Sequence, residues 1–188
     1  MNYRFVGLDL SLTGTGMCLM EVDETGKLVN MTVKEIKTKP VDFTNSIRRV
    51  DHISEKVLEF INSQSVPEMI CVEDYFTGKN PKVIIQLCEL GTMVRFKLIK
   101  AGLPFYTASP NSLKKFCLGK GAGGKELIIK GVYKKYDFDT NSNNIADAVV
   151  LAHIAKSVSF TKNNRPLSLA KYESEVVEQI IKDRVIFL

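Results

Sequence analysis

The run Glu68–Asp74, EMICVED, constrains the fold more than any other stretch of the chain. Its centre, Met69-Ile70-Cys71-Val72, is wholly apolar, and the run is too short for a helix once Pro67 precedes it. A strand with no polar face belongs in the middle of a sheet covered on both sides. Helices must therefore lie on both faces, and the rest of the sequence supplies them.

Tyr3–Leu10, Gly16–Val22 and Leu28–Ile36 read as three successive strands, joined by TGTG and DETGK, whose glycines suit tight connections. Asp42–Ser63 reads as a helix, since Ile47, Val50, Ile53, Val57, Phe60 and Ile61 recur at three- and four-residue steps. Pro81–Ala101 reads as a second helix with Val83, Leu87, Leu90, Val94 and Leu98 on one face and Gly102 past its end. LPFYTA is a fifth strand. Further helices are expected at Ser109–Phe116, opened by a capping Ser-Pro pair, at Lys125 to about Tyr136, at Asn143–Ser157 and at Leu167–Asp183. This order resembles an RNase H-like α/β domain: a five-stranded mixed sheet with helices on both faces. Residues 1–160 would form that domain and 161–188 a C-terminal helical extension.

A chain of 188 residues holds one domain with a proper core. No apolar stretch is long enough to span a bilayer. The N-terminus enters strand-like sequence at once, which does not read as a signal peptide. Cys18, Cys71, Cys88 and Cys117 are scattered with no CxxC pair, which argues against a zinc site and suits a reducing cytosol. Two histidines, His52 and His153, are too few for a histidine-rich metal centre, and His153 reads as structural.

Charge is concentrated. Between Lys114 and Lys135 stand seven lysines and one acid, Glu126, so this window carries more positive charge than the chain's net +5. Such a segment points to a polyanion partner, the competing reading being a solvated helix face.

Three acids stand where burial is costly. Asp9 interrupts the apolar run FVGLDL, Glu73 ends the central strand, and Asp147 is flanked by Ile145, Ala146, Ala148 and Val149. Buried carboxylates need something positive, and two divalent cations with a phosphodiester would supply it. On a strand, Glu73 and Asp74 point to opposite faces, so one is expected at a site and the other in solvent. Asn144 lies one helical turn before Asp147 on the same face.

With these residues in view, the chain from about Phe5 to Ala155 resembles RuvC-type Holliday-junction resolvases. GLDLSLTGTG resembles the first-strand motif of that family, with Asp9 as its metal-binding acid. VEDYF resembles the second, with Glu73 as the acid and Phe76 where the family places an aromatic that probes the junction. SPNSLKKFCLGKGAGGKE resembles the basic loop and helix, with Lys114 and Lys125 at substrate-contacting positions. NNIADA resembles the last motif, in which Asp147 matches the second acid. This chain departs from the family at Asn144, where an acid, or in some members a histidine, is usual. An amide still offers a carbonyl oxygen to a hard cation, and Asp137 or Asp139 is placed nearby in sequence to restore the charge.

The resemblance implies a metal-dependent endonuclease that nicks four-way or other branched DNA, leaving a 5′ phosphate and a 3′ hydroxyl. Two Mg²⁺, replaceable by Mn²⁺, would be held by Asp9, Glu73, Asn144 and Asp147. Lys125 would neutralise charge at the scissile phosphate, and Lys114, Lys115, Lys120, Lys130 and Lys134 would add sequence-independent affinity. It also implies a homodimer built on the Pro81–Ala101 helix, where Cys88 and Gly91 would leave room for close approach, and a place in the cytoplasm of a bacterium or a phage-infected one. Phe76 reads equally as a core residue under its loop. LGKGAGGK reads as a phosphate cradle or a flexible connector, and is not a P-loop because Glu126 follows Lys125. Two other functions compete. A branched-DNA-binding protein without cleavage is raised by Asn144. An actin-like phosphotransferase is raised by GLDLSLTGTG, but such enzymes need two such domains.

Overall fold

The structure is a computed structural model that describes residues 2–63, 65–75 and 80–183, with Lys125 described by its backbone. Strands β1 (Tyr3–Asp9), β2 (Thr15–Val22), β3 (Leu28–Ile36), β4 (Met69–Glu73) and β5 (Phe105–Ala108) form one sheet in the order β3-β2-β1-β4-β5. β1, β2 and β3 meander antiparallel, while β4 runs parallel to β1 and β5 parallel to β4. The mixed five-stranded RNase H-like sheet expected from the sequence is the one found.

Side-chain alternation divides the core into two layers. Val6, Leu8, Met17, Leu19, Ile70 and Val72 face α1 (Ser46–Asn62) and α2 (Pro81–Lys100). Phe5, Cys18, Met20, Met69 and Cys71 face the other layer, α3 (Pro110–Leu118), α4 (Lys125–Tyr136), α5 (Asn143–Lys162) and α6 (Lys171–Lys182). Each fully buried Leu, Ile or Phe contributes about 1.5–3 kcal/mol by leaving water. α6 seats Val176, Val177 and Ile180 in the core shared with α5.

α5 lies on the sheet with almost nothing between. A Cβ added to Gly7 would stand 2.0 Å from the Ala148 carbonyl oxygen, and one added to Gly16 would stand 2.0 Å from that of Asn144. This alters the reading of TGTG. Gly16 lies within β2, and neither Gly14 nor Gly16 has a positive φ. They admit the start of α5, whereas the turn itself is held by Thr15, whose hydroxyl donates to the Ser11 carbonyl at 2.6 Å. The DETGK turn does use its glycine, Gly26, at φ 82°.

Three helix limits differ from the periodicity. α1 begins at Ser46 rather than Asp42 because Asn45 caps it, accepting from the Arg48 amide at 3.0 Å, and Pro40–Asp42 forms a separate 3₁₀ turn. α5 runs past Ser157 to Lys162 because its late serines are satisfied: Ser157 donates to the His153 carbonyl at 2.9 Å and Ser159 to Glu68. α6 begins at Lys171, while Leu167 and Leu169 pack on the core ahead of it.

Ile47 leaves the expected α1 stripe and is 54% exposed. It joins Val50, Ile84, Ile85, Cys88, Met93 and Phe96 around an apolar groove of about 620 Å³ between α1 and α2. Gly91, expected to give room for a partner, is buried and gives room to Tyr75, whose ring edge would lie 2.6 Å from an added Cβ. Among the described residues no helix is long and apolar enough to cross a membrane.

Candidate active site

Asp9 and Glu73 are brought together by strand register. Leu8 pairs with Val72, so the two acids are the next residues on neighbouring parallel strands. Two-residue alternation along Phe5, Gly7, Asp9 and along Met69, Cys71, Glu73 turns both toward α5. Asp147 and Asn144 come from the first turns of α5, drawn onto the sheet at Gly7 and Gly16. Ser142 caps that helix, its hydroxyl accepting from the Ile145 amide at 3.3 Å.

All four residues line one cleft of about 430 Å³, with Asp9 buried and Glu73, Asn144 and Asp147 half-buried. Burial holds the Cys117 thiol up at about 11 against the opposing charge of Lys135, with Asp147 adding a smaller upward push, and burial with Glu73 raises the Cys71 thiol further. Neither thiol is poised to react.

The flanking loops are fixed by groups that the sequence did not single out. Arg49 is buried and donates to the Leu12 carbonyl at 2.7 Å, the Thr38 carbonyl at 3.0 Å and the Thr38 hydroxyl at 2.9 Å. It thereby ties the loop after Asp9 to the end of β3. Asp74, expected in solvent, keeps a side chain 44% exposed and also pairs with Arg95 at 3.0 Å, and that guanidinium stacks 3.9 Å over Tyr75. Arg95 also donates to the Glu73 carbonyl at 3.3 Å, fixing the backbone from which the Glu73 side chain departs.

The opposite wall is the basic segment. Pro110, Lys114, Gly123, Gly124 and Ile128 line the cleft. Gly124 is the N-cap of α4 and offers no side chain to its first amides, which leaves these donors for an anion. Lys125 is the first residue of α4, and its side chain lies outside the described atoms, as does Phe76 altogether. Lys120, Lys130 and Lys134 are exposed on the loop before α4 and along it. Lys115 turns to α6, pairing with Glu175 at 2.7 Å. Lys135 does likewise, pairing with Glu173 at 2.6 Å. His153 is stacked on Tyr136 at 3.7 Å between ring centroids, away from the acids.

Asp137 and Asp139 are exposed and do not line the cleft, so neither restores the charge missing at Asn144. Glu35 approaches instead: it accepts from the Asn144 amide nitrogen at 2.7 Å. Its signal in the sequence was the two-residue step Met31, Val33, Glu35, which puts an acid where β3 otherwise turns apolar side chains to the α5 layer.

The donor set is all oxygen and suits a hard divalent cation. Among the described residues, no group of three or more His, Cys, Asp and Glu side chains is arranged to hold a metal ion by itself.

Residues 5–156 match the family model of crossover junction endodeoxyribonuclease RuvC. The crossover junction endodeoxyribonuclease RuvC of Bartonella bacilliformis is 26% identical over 160 residues, covering 84% of this chain and 93% of the relative. The Thermus thermophilus RuvC structure superposes with a TM-score of 0.68 at 23% identity, covering 89% of this chain and all of that one. The structure of T. thermophilus RuvC in complex with a Holliday junction substrate superposes at 0.66 and 21% identity, covering 88% and 99%.

Proposed function

The chain belongs to the RuvC family of crossover junction endodeoxyribonucleases, nucleases that resolve Holliday junctions, and from that premise we propose that the four-residue cleft is a metal-dependent site for cutting branched DNA. One observation carries the assignment. Asp9, Glu73, Asn144 and Asp147 come from three distant parts of the chain and meet in one cleft, opposite Lys114 and the uncapped start of α4.

The carboxylates and the Asn144 carbonyl oxygen would hold two Mg²⁺, or Mn²⁺ in their place. When bound, these supply Lewis-acid charge and a hydroxide nucleophile at neutral pH. The chain's own residues position the substrate. Lys114 and the first amides of α4 face the phosphodiester, and Lys125 starts that helix, where its charge would offset the pentavalent transition state. Lys120, Lys130 and Lys134 follow the DNA backbone outward. Phe76 would stack on a base at the crossover.

Two cuts on a symmetric junction call for two copies of the chain. The groove between α1 and α2, with Ile85 59% and Phe96 53% exposed, is the surface that would pair them. The working place of such an enzyme is the bacterial cytoplasm, where its DNA lies.

The test is an end-labelled four-way junction beside a linear duplex of the same sequence, with Mg²⁺ or with EDTA. Symmetric nicks in the junction alone, abolished by EDTA, are expected. Junction binding without nicks under Mg²⁺ and Mn²⁺ would reduce the protein to a branch-binding one.

A further inference from the structure

Glu35 is the penultimate residue of β3, paired in register with Gly16 of β2. Because Gly16 presents no side chain, the Glu35 carboxylate reaches over β2 to α5. There the Asn144 Nδ2 donates to Glu35 Oε1 at 2.7 Å. Gly14 completes the opening, since a Cβ on it would lie 2.5 Å from Asn144 Nδ2 and 2.8 Å from Glu35 Oε1. Two glycines thus clear the space in which this pair meets.

The chemistry of the pair sets its orientation. A carboxylate only accepts hydrogen bonds, so the amide nitrogen of Asn144 must face Glu35. Its carbonyl oxygen is thereby turned away from Glu35, on a residue that lines the cleft with Asp9, Glu73 and Asp147. The second oxygen of Glu35 is 3.3 Å from Lys37, whose side chain is 75% exposed. Solvent screens that ion pair, so it does not cancel the charge of Glu35 toward the cleft.

We propose that Glu35 is a positioning residue of the metal site, aiming the Asn144 carbonyl oxygen at the cation and supplying from β3 the negative charge that Asn144 lacks. The proposal rests on the reading of the cleft as a metal site. Across this one hydrogen bond the ligand position is neutral and the residue behind it is charged. The pair keeps the net charge of an acid at position 144 backed by an amide at position 35. Two acids at these positions would face each other at hydrogen-bond distance.

The test uses metal-free protein without DNA, read by Mn²⁺ calorimetry and by thermal unfolding. Glu35→Gln keeps an acceptor for the Asn144 amide but loses the charge. It should unfold within about 2 °C of wild type and bind Mn²⁺ on the order of fivefold more weakly. Asn144→Asp should lower the unfolding temperature of the metal-free protein at pH 7.5 by several degrees. Glu35→Gln combined with Asn144→Asp should restore it, because the new amide donates to the new carboxylate. It should also bind Mn²⁺ at least as tightly as wild type. Equal Mn²⁺ affinity in wild type and Glu35→Gln overturns the proposal, as does an unfolding temperature for Asn144→Asp that the second change does not raise. If wild type binds no Mn²⁺ that Asp9→Asn abolishes, the metal-site reading itself fails, and this inference with it.

Discussion

The backbone of Gly7 lies directly against that of Ala148: a Cβ on Gly7 would stand 2.0 Å from the Ala148 carbonyl oxygen and 2.4 Å from the Ala152 nitrogen. Asp9 is two residues beyond Gly7, and Asp147 is one before Ala148. The spacing of the two acids is therefore set where β1 and α5 meet with no side chain between them.

Gly7→Ala should be costly, because the obstruction is backbone and no rotamer change relieves it. Urea unfolding should show a loss of about 3 kcal/mol. Nicking should fall further than the folded fraction does, since α5 must move away from Asp9. An unchanged midpoint would mean that this contact is looser than described.

His153 gives the fold an acid sensitivity. Its ring is stacked on Tyr136, and its Nε2 is buried with no hydrogen-bond partner among the described residues. Burial first, then Lys156 and Lys135, hold its pKa well below the usual histidine range. Below about pH 6.5 the unfolded chain takes up a proton that the folded one refuses. Stability from this group is complete above that pH and declines as pH falls, by up to about 1.4 kcal/mol per unit. His153→Phe keeps the ring stack, so its unfolding free energy should be flatter than wild type between pH 6.5 and 5. Parallel curves would place the acid sensitivity elsewhere.

The sheet order was legible because each strand carries its own signal: the apolar run of β1 broken by Asp9, the alternation of β3, and the apolar run of β4 between Pro67 and Asp74. The acids were legible because Asp9 and Asp147 interrupt apolar sequence, where a charge is costly unless something offsets it. Glu35 was not, since one acid in a half-exposed edge strand is ordinary until α5 is seen to cross above it. The purpose of Gly7, Gly16 and Gly91 was equally hidden. A glycine that admits a neighbour distant in sequence looks locally like any other glycine.

The seven lysines of the basic window do not form one surface. Lys135 is held by Glu173, by the Phe116 carbonyl at 2.5 Å and over the Tyr172 ring, whereas Lys130 is exposed on α4. Lys130→Ala should weaken junction binding and lower the slope of log affinity against log salt by about 0.9. Lys135→Ala should leave the slope unchanged and cost about 2 kcal/mol of stability. An unchanged slope for Lys130→Ala would return that residue to a solvated face.

If the groove between α1 and α2 pairs two copies, an acid in it should separate them. Ile85 and Phe96 are exposed in the described chain, so Ile85→Asp or Phe96→Asp should leave the fold intact. Sedimentation velocity should show a dimer for wild type and a monomer for either variant. The monomer should nick one strand without the symmetric second cut. A wild-type monomer at micromolar concentration would remove the groove from the account.

The most direct test of the cleft is Asp9→Asn, an isosteric change that removes one charge and leaves every lysine in place. Single-turnover nicking of a labelled four-way junction in Mg²⁺ should be compared with junction affinity measured in Ca²⁺. The account predicts a rate lower by roughly a thousandfold or more, the scale of several kcal/mol of transition-state stabilisation. Affinity should stay within about twofold, because it rests on lysine–phosphate contacts. Nicking at the wild-type rate would contradict the assignment of the site, and an equal loss of rate and affinity would contradict the separation of cutting from binding.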